Sequence, residues 1–215
     1  PITKNWGARD ANWFFDFPTS AEKVVSLLEQ SDLYLADKIQ FQGAVAINTK
    51  ILESVLEITG PIYLPKYDQI INSQNFLPTI QREVEAGMDK KPGQNPKRIL
   101  SALAPLLMEK LKTLDDQQKN ALGKQLKNHL IKKDLMVYFK DIRIQNFLKT
   151  AEMAGEVLNL PENFSGDYLA VVNSNIAGGK TDFYINQHIS LKSQISADGK
   201  IINQLSITRS HNGPD

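Results

Sequence analysis

The sequence predicts an α/β domain over residues 1–160, a mixed sheet flanked by helices, followed by a C-terminal β-hairpin segment over residues 161–215. Three observations predict this. Apolar stripes at helical spacing recur from Ala21 to Leu158. Between Phe41 and Leu64 a strand, a helix and a strand follow one another in about 25 residues, the economy of a layered α/β fold. From Asp167 onward the apolar period drops from 3.6 to 2.

Each element has a local reason. Thr19-Ser20-Ala21-Glu22 reads as a capping box, in which hydroxyl and carboxylate satisfy each other's orphan N–H groups, so a helix is expected from about residue 20. Ala21, Val24, Val25 and Leu28 share its inner face. Phe41 to Ile47 reads as a buried strand. Asn48 caps a second helix with the stripe Ile51, Leu52, Val55 and Leu56, Gly60 stops it, and Pro61 opens a short strand through Ile62 and Leu64. A helix is expected from Ser73 to about Ala86. Asn95-Pro96 then provides the cap and first-turn proline for another, carrying Ile99, Leu100, Leu103, Leu106, Leu107 and Leu111, with a kink expected at Pro105. Asp115 or Asp116 starts the next, with Leu122, Leu126 and Leu130 inside. Leu135 to Phe139 reads as a strand, and Ile144, Phe147, Leu148, Ala151 and Leu158 as one more amphipathic helix.

The tail reads as strands at Tyr168 to Val172, Phe183 to Ile195 and Lys200 to Thr208. Its last hairpin has a predictable register. Ile189, Leu191, Ile195, Ile201, Leu205 and Ile207 are all odd-numbered, and a two-residue loop would set apolar residues opposite polar ones. A three-residue loop, Ala197-Asp198-Gly199 with Gly199 left-handed, pairs Ile195 with Ile201, Leu191 with Leu205 and Ile189 with Ile207.

Composition excludes whole classes of protein. With 215 residues, 41% of them apolar and 23% charged, the chain is neither disordered nor fibrous, and it buries roughly 70% of the surface its unfolded form exposes. There is no cysteine, hence no disulfide, no thiolate metal site and no cysteine nucleophile. The longest apolar stretch, Ile99 to Met108, is about half a membrane span and is interrupted by Ser101 and Pro105. Because the chain opens at Pro1 rather than Met and closes directly after a strand pattern, it is expected to be an excised part of a longer protein.

The formal net charge of +1 is unevenly spread. Residues 1–88 carry 7 basic and 11 acidic side chains, residues 89–133 carry 11 and 4, and residues 134–215 carry 7 and 9. The middle block, which includes Lys90, Lys91, Lys97, Arg98, Lys119, Lys124, Lys127, Lys132 and Lys133, is either a solvated helix face or a surface for phosphate, an anionic polymer or a membrane. Lysine outnumbers arginine and aromatics do not interleave, so no nucleic-acid partner is expected.

Few residues group into a chemical pattern. His129, His188 and His211 share no metal-like spacing, so no metal site is expected from them, and without a G-x-S-x-G elbow no Ser-His-Asp triad is expected either. Gly178-Gly179-Lys180-Thr181 lacks the first glycine of a P-loop and precedes a strand, not a helix. It reads as a tight turn, or as a backbone nest in which Asn173, Asn175 and Lys180 surround an anion. The segment from Trp6 to Pro18 sets two Trp and three Phe around Arg9-Asp10. Either its aromatics are core and Arg9 and Asp10 satisfy loop backbone groups, or Arg9 projects into a cleft, its planar fork holding phosphate while Asp10 orients it or acts as a base.

These residues carry a resemblance. Arg9-Asp10-Ala11-Asn12-Trp13 with Asp16-Phe17-Pro18-Thr19-Ser20-Ala21, then Gly43-Ala44-Val45-Ala46-Ile47, Leu56-Glu57-Ile58-Thr59-Gly60-Pro61, and Asn173-Ser174-Asn175-Ile176-Ala177-Gly178-Gly179-Lys180 resemble the bacterial domain-of-unknown-function 4012 family, through nearly the whole chain. Members are typically longer envelope proteins with an N-terminal membrane segment. The resemblance therefore implies an extracytoplasmic portion of the cell envelope, anchored through a segment outside this chain.

More distantly, the run of residues 20 to 64 is similar to the LytR-CpsA-Psr phosphotransferases, which move glycans from a polyprenyl pyrophosphate carrier to the cell wall. That resemblance implies that Arg9 and Arg98 neutralise a pyrophosphate, with Mg²⁺ as the implied cofactor, and that Lys97-Arg98-Ile99-Leu100 starts a basic-headed helix beside a lipid tail. The arginine cluster of that family is replaced here by Arg82, Glu83, Glu85, Lys90 and Lys91, and the two glutamates repel a pyrophosphate. The resulting expectation is binding of an anionic lipid-linked glycan or other envelope polymer, with Arg9 and Asp10 in the catalytic position and Asn12, Lys97, Arg98, Asn175 and Lys180 as ligand contacts. Whether it is an enzyme stays open, and the alternative is a non-catalytic scaffold or adhesion module.

Overall fold

In the computed structural model, residues 7–85, 97–166, 168–174, 182 and 184–213 are described. The chain divides into two compact units, Pro1–Pro161 and Glu162–Asp215.

The first unit mixes helices with short antiparallel sheets. A single 3₁₀ turn, Ala8–Asp10, precedes α1 (Phe17–Glu29) and the one-turn α2 (Asp32–Leu35). The cap of α1 is Asp16, three residues ahead of the expected Thr19: its carboxylate accepts from the Thr19 N–H at 3.1 Å and from the Thr19 hydroxyl at 2.6 Å. Pro18 favours this earlier start, because its fixed φ suits a first helical turn.

Strand β1 is Gly43–Ile47, and α3 (Thr49–Thr59) follows, capped by the Asn48 side chain and ended by Gly60 at φ 78°. Strands β2 (Ile62–Leu64) and β3 (Gln69–Ile71) form a hairpin around the 3₁₀ turn Pro65–Tyr67 and Asp68, a non-glycine residue at φ 47°. Helix α4 covers Phe76–Glu85, α5 covers Arg98–Lys112 and continues through Pro105, and α6 covers Asp116–Ile131. Of the two aspartates offered as its cap, Asp115 is the one, in a reciprocal capping box with Gln118. Strand β4 (Leu135–Phe139) and α7 (Ile142–Thr150) close the unit.

The expected mixed sheet is replaced by two antiparallel pairs. β1 pairs with β4, with Val45 opposite Val137, and β2 pairs with β3. The run β1-α3-β2 is therefore not a crossover within one sheet: β2 turns back at once on β3, and β1 takes its partner from β4. In place of a buried strand, β1 is half-buried, with Val45 and Ile47 exposed on the face away from α1. Gly43 lies so close to the Tyr138 carbonyl that a Cβ there would overlap it.

The core gathers where α3, α4 and α5 close over the β2–β3 hairpin. Leu56, Leu64, Ile71, Phe76 and Ile99 are essentially inaccessible there. A smaller cluster holds α1 through Ala11, Phe17, Ala21 and Val25, while α7 buries Leu148 as expected but Gln145 in place of the expected Ile144 and Phe147, which are exposed. Gln145 is drawn inward by a hydrogen bond that its side-chain oxygen accepts from the Phe139 N–H, at 2.9 Å. Leu158 lies beyond this helix.

Among the described residues, the strands of the second unit form one long hairpin, β5 (Ile185–Ile195) with β6 (Ile201–His211). Its register is the expected one, with Ile195 opposite Ile201, Leu191 opposite Leu205 and Ile189 opposite Ile207. The turn is the bulged form: Gly199 sits at φ 81° and donates to the Ser196 carbonyl at 2.9 Å. Residues 168–172, expected as a strand, form none, since each hairpin strand pairs only with the other among the described residues.

Candidate functional site

Arg9 and Asp10 lie in the 3₁₀ turn that packs on α1. The Asp10 carboxylate accepts from the Gly7 N–H at 3.3 Å and from Arg9 Nε at 3.4 Å. The Arg9 side chain is 85% exposed and that of Asp10 33%. An ion pair this open contributes at most about 1 kcal/mol, because water screens it. Asn12 is also exposed, as are Trp13, Phe14 and Phe15, so only Ala11 and Phe17 of this segment's described apolar residues enter the core.

The remaining expected contacts are placed elsewhere. Lys97 and Arg98 sit at the start of α5, which packs on β2 and α4, away from the neighbours that hold the Arg9 turn. Asn175 and Lys180, with the Gly178-Gly179 turn, lie outside the described residues, as do Lys90, Lys91 and the expected Asn95-Pro96 cap. Asn173 is described, and its side-chain oxygen accepts from the Arg209 guanidinium. No group of three His, Asp or Glu among the described residues is placed to hold a metal ion. Asp10 itself faces a guanidinium. These donors do not fit Mg²⁺, and no step is derived through it.

The basic block forms a recognisable surface on α6. Lys124 and Lys127 are exposed on its outer side, Lys132 follows at its end, and among the described residues none of the three has an ion-pair partner. Lys119 pairs with Asp116 at 3.3 Å, Lys110 donates to the Thr59 carbonyl at 2.8 Å, and Lys133 donates to the Glu152 carbonyl. The acidic start and basic finish of α6 also suit its macrodipole.

The structure brings together one chain of groups that sequence spacing did not predict. Ser54 Oγ lies 2.8 Å from His129 Nε2, and His129 Nδ1 lies 3.0 Å from Asp134 Oδ2, with His129 and Asp134 buried. The geometry follows from the fold. Lys133 takes a left-handed conformation at φ 60°, turning Asp134 back onto the last turn of α6, while α3 packs alongside and supplies Ser54. Donation from Nδ1 to the carboxylate leaves Nε2 to accept the Ser54 hydroxyl proton, the hydrogen-bond order of a serine hydrolase.

Reactivity needs more than that order. Ser54 lies inside α3, where backbone N–H groups are engaged in the helix ladder and cannot form an oxyanion hole. Of two clefts among the described residues, about 390 Å³ between Ile62 and Leu106 and about 470 Å³ around Lys149 and Gly155, neither is lined by any of the three residues. The network is a staple between α3 and the end of α6. The only sequence signal for it is a serine on the inner half of an apolar helix.

Residues 3–84 match the family described as Protein of unknown function (DUF4012). The family assignment made on the sequence blocks is thereby borne out over the Arg9 turn and the elements from α1 to α4. The block at 173–180 lies beyond the matched stretch of the DUF4012 segment. No curated protein and no solved structure matches the chain.

Proposed function

We propose that this chain is a non-catalytic, extracytoplasmic module of the bacterial cell envelope that holds an anionic envelope polymer on the outer face of α6. The observation that carries the reading is the set of exposed lysines, Lys124, Lys127 and Lys132, with no acidic partner among the described residues. Cations that no carboxylate neutralises attract a polyanion over roughly a Debye length and need no shaped pocket. Catalysis has less support, since Arg9 is a solvent-facing ion pair and Ser54 lacks an oxyanion hole. A LytR-CpsA-Psr-like ancestry for the α/β unit belongs to the same proposal and rests on the capped helix, strand, helix and strand of residues 20 to 64. So do attachment to a membrane through a segment outside this chain and a lipid-linked glycan as the polymer.

The test is titration of a labelled polyglycerol phosphate. Binding is expected to weaken at least tenfold between about 50 and 200 mM salt, and the double variant Lys124→Glu/Lys127→Glu is expected to lose it at low salt. Equal binding by that variant, or equal binding of a neutral glycan, removes the proposal. Arg9→Ala is expected to leave the titration unchanged. Loss of polyprenyl pyrophosphate binding in Arg9→Ala would instead restore the phosphotransferase-like site.

A further inference from the structure

The β5–β6 hairpin sorts most of its aliphatic side chains onto one face. Alternate residues share a face of a strand, so the cross-strand pairs Ile189–Ile207, Leu191–Leu205 and Ile195–Ile201 lie on one face as an aliphatic stripe broken by a single polar pair. The opposite face carries Ser190, Lys192, Gln194, Gln204, Ser206 and Thr208, with Ile202 its only aliphatic residue in the same span. All six stripe residues are between 40% and 73% exposed. An isolated two-stranded hairpin is marginal in water, and an apolar face of this extent is one that proteins cover.

We propose that a second copy of this chain covers it, the two stripes packing face to face about a two-fold axis. The area is sufficient. Six aliphatic side chains about half-exposed leave on the order of 500 Å² per copy, so two stripes together reach the roughly 1,000 Å² that separates a specific interface from a chance contact. The chemistry is self-complementary, as a two-fold interface requires. No charged side chain lies within the stripe. The pair that interrupts it, Ser193 and Asn203, is joined by a hydrogen bond of 2.7 Å, so the hydroxyl is not buried without a partner. Arg209, on the same face beyond Ile207, already donates to Gln187 at 2.9 Å and to Asn173, at the end farthest from the turn.

Sedimentation or light scattering of the whole chain over a concentration series up to about 100 µM tests this, since half-dimerisation within that range corresponds to a Kd of the same order or lower. The expected result is a dimer that Leu191→Lys converts to a monomer and Ser190→Lys, on the polar face, leaves intact. Because the chain has no cysteine, single substitutions report the geometry without disturbing the stripe's aliphatic residues. Ser193→Cys is expected to cross-link with a bis-maleimide and Gln194→Cys is not. A monomer at the highest concentration overturns the proposal, as does a dimer that survives Leu191→Lys or cross-links through position 194. A monomer that binds lipid vesicles and loses that binding with Leu191→Lys also overturns it, and assigns the stripe to a membrane surface.

Discussion

The core beneath α3, α4 and α5 and the β5–β6 hairpin solve the same problem in opposite ways. In the first, β2 and β3 are only three residues each, yet Ile62, Leu64 and Ile71 are buried because three helices close over them. In the second, two strands of eleven residues satisfy every rule of pairing and every residue of β6 stays exposed. Hydrogen-bond register and burial are thus separable. Register follows from alternation and turn chemistry within a few residues, whereas burial needs a second layer, which local sequence does not supply.

The sharpest way to break this comparison is truncation in each region. Phe76→Ala empties a fully buried site and is expected to cost about 3–5 kcal/mol in urea unfolding. Leu205→Ala is expected to shift the same transition by less than about 0.5 kcal/mol. Both tryptophans, Trp6 and Trp13, lie in the sequence of the first unit, so fluorescence reports that unit directly. Similar losses from both substitutions would mean that the hairpin is integral to the first core.

Next in size is the polar staple within the first unit. His129→Ala removes both hydrogen bonds and leaves the buried Asp134 carboxylate with Lys50, at 3.9 Å, as its one charged partner among the described residues. A loss of about 2–3 kcal/mol is expected. A serine-reactive fluorophosphonate is expected to leave the chain unlabelled. Labelling that disappears in Ser54→Ala would turn the staple into a catalytic group and move the comparison from stability to chemistry.

The same contrast explains what could be read in advance. Asn48 and Gly60 were legible, and Asp115 as one of two adjacent candidates, because a cap is satisfied within four residues, and the Gly199 bulge because only one loop length keeps Leu191 opposite Leu205. The pairing of β1 with β4 was not legible. Gly43-Ala44-Val45-Ala46-Ile47 specifies a strand but not which edge it joins, and Leu135 lies beyond four intervening helices and another hairpin. The Ser54–His129–Asp134 chain was hidden for the same reason: its first two members are 75 residues apart and meet only because α3 packs on α6. Arg9-Asp10 was visible as a pair, but its exposure depended on how the loop leading into α1 settles, and Asp16 decides that.

A smaller effect is expected at Asp16 itself. Burial raises its pKa, but the Thr19 hydroxyl, the Val157 N–H and the Thr19 N–H together outweigh burial and hold the carboxyl below the usual range, with Lys149 adding a weaker pull. Through Val157, at 3.0 Å, the same carboxylate also ties α1 to the segment after α7. Asp16→Ala is expected to cost about 1–2 kcal/mol at neutral pH. Since the folded pKa is depressed, this stabilisation is fully present above the unfolded value of about 3.9 and is lost as pH falls through the folded value. The difference between parent and Asp16→Ala should therefore shrink below about pH 4 in acid unfolding curves. A difference that persists unchanged at lower pH would place the effect in packing and not in the charge.

The smallest expected effect separates the hairpin's stripe from the Arg9 turn as surfaces. Arg9→Ala removes a guanidinium whose ion-pair partner is the adjacent, partly exposed Asp10, and the unfolding free energy is expected to change by less than about 0.5 kcal/mol. The Gly7 N–H keeps its acceptor in that variant, so the turn retains the hydrogen bond that shapes it. A larger loss would mean that the arginine braces the loop ahead of α1, and the turn would then belong with the buried core rather than with the surface. Near-neutral stability would leave Arg9 available for a ligand without making it a catalytic group, because surface charge can be altered freely only where the fold does not depend on it.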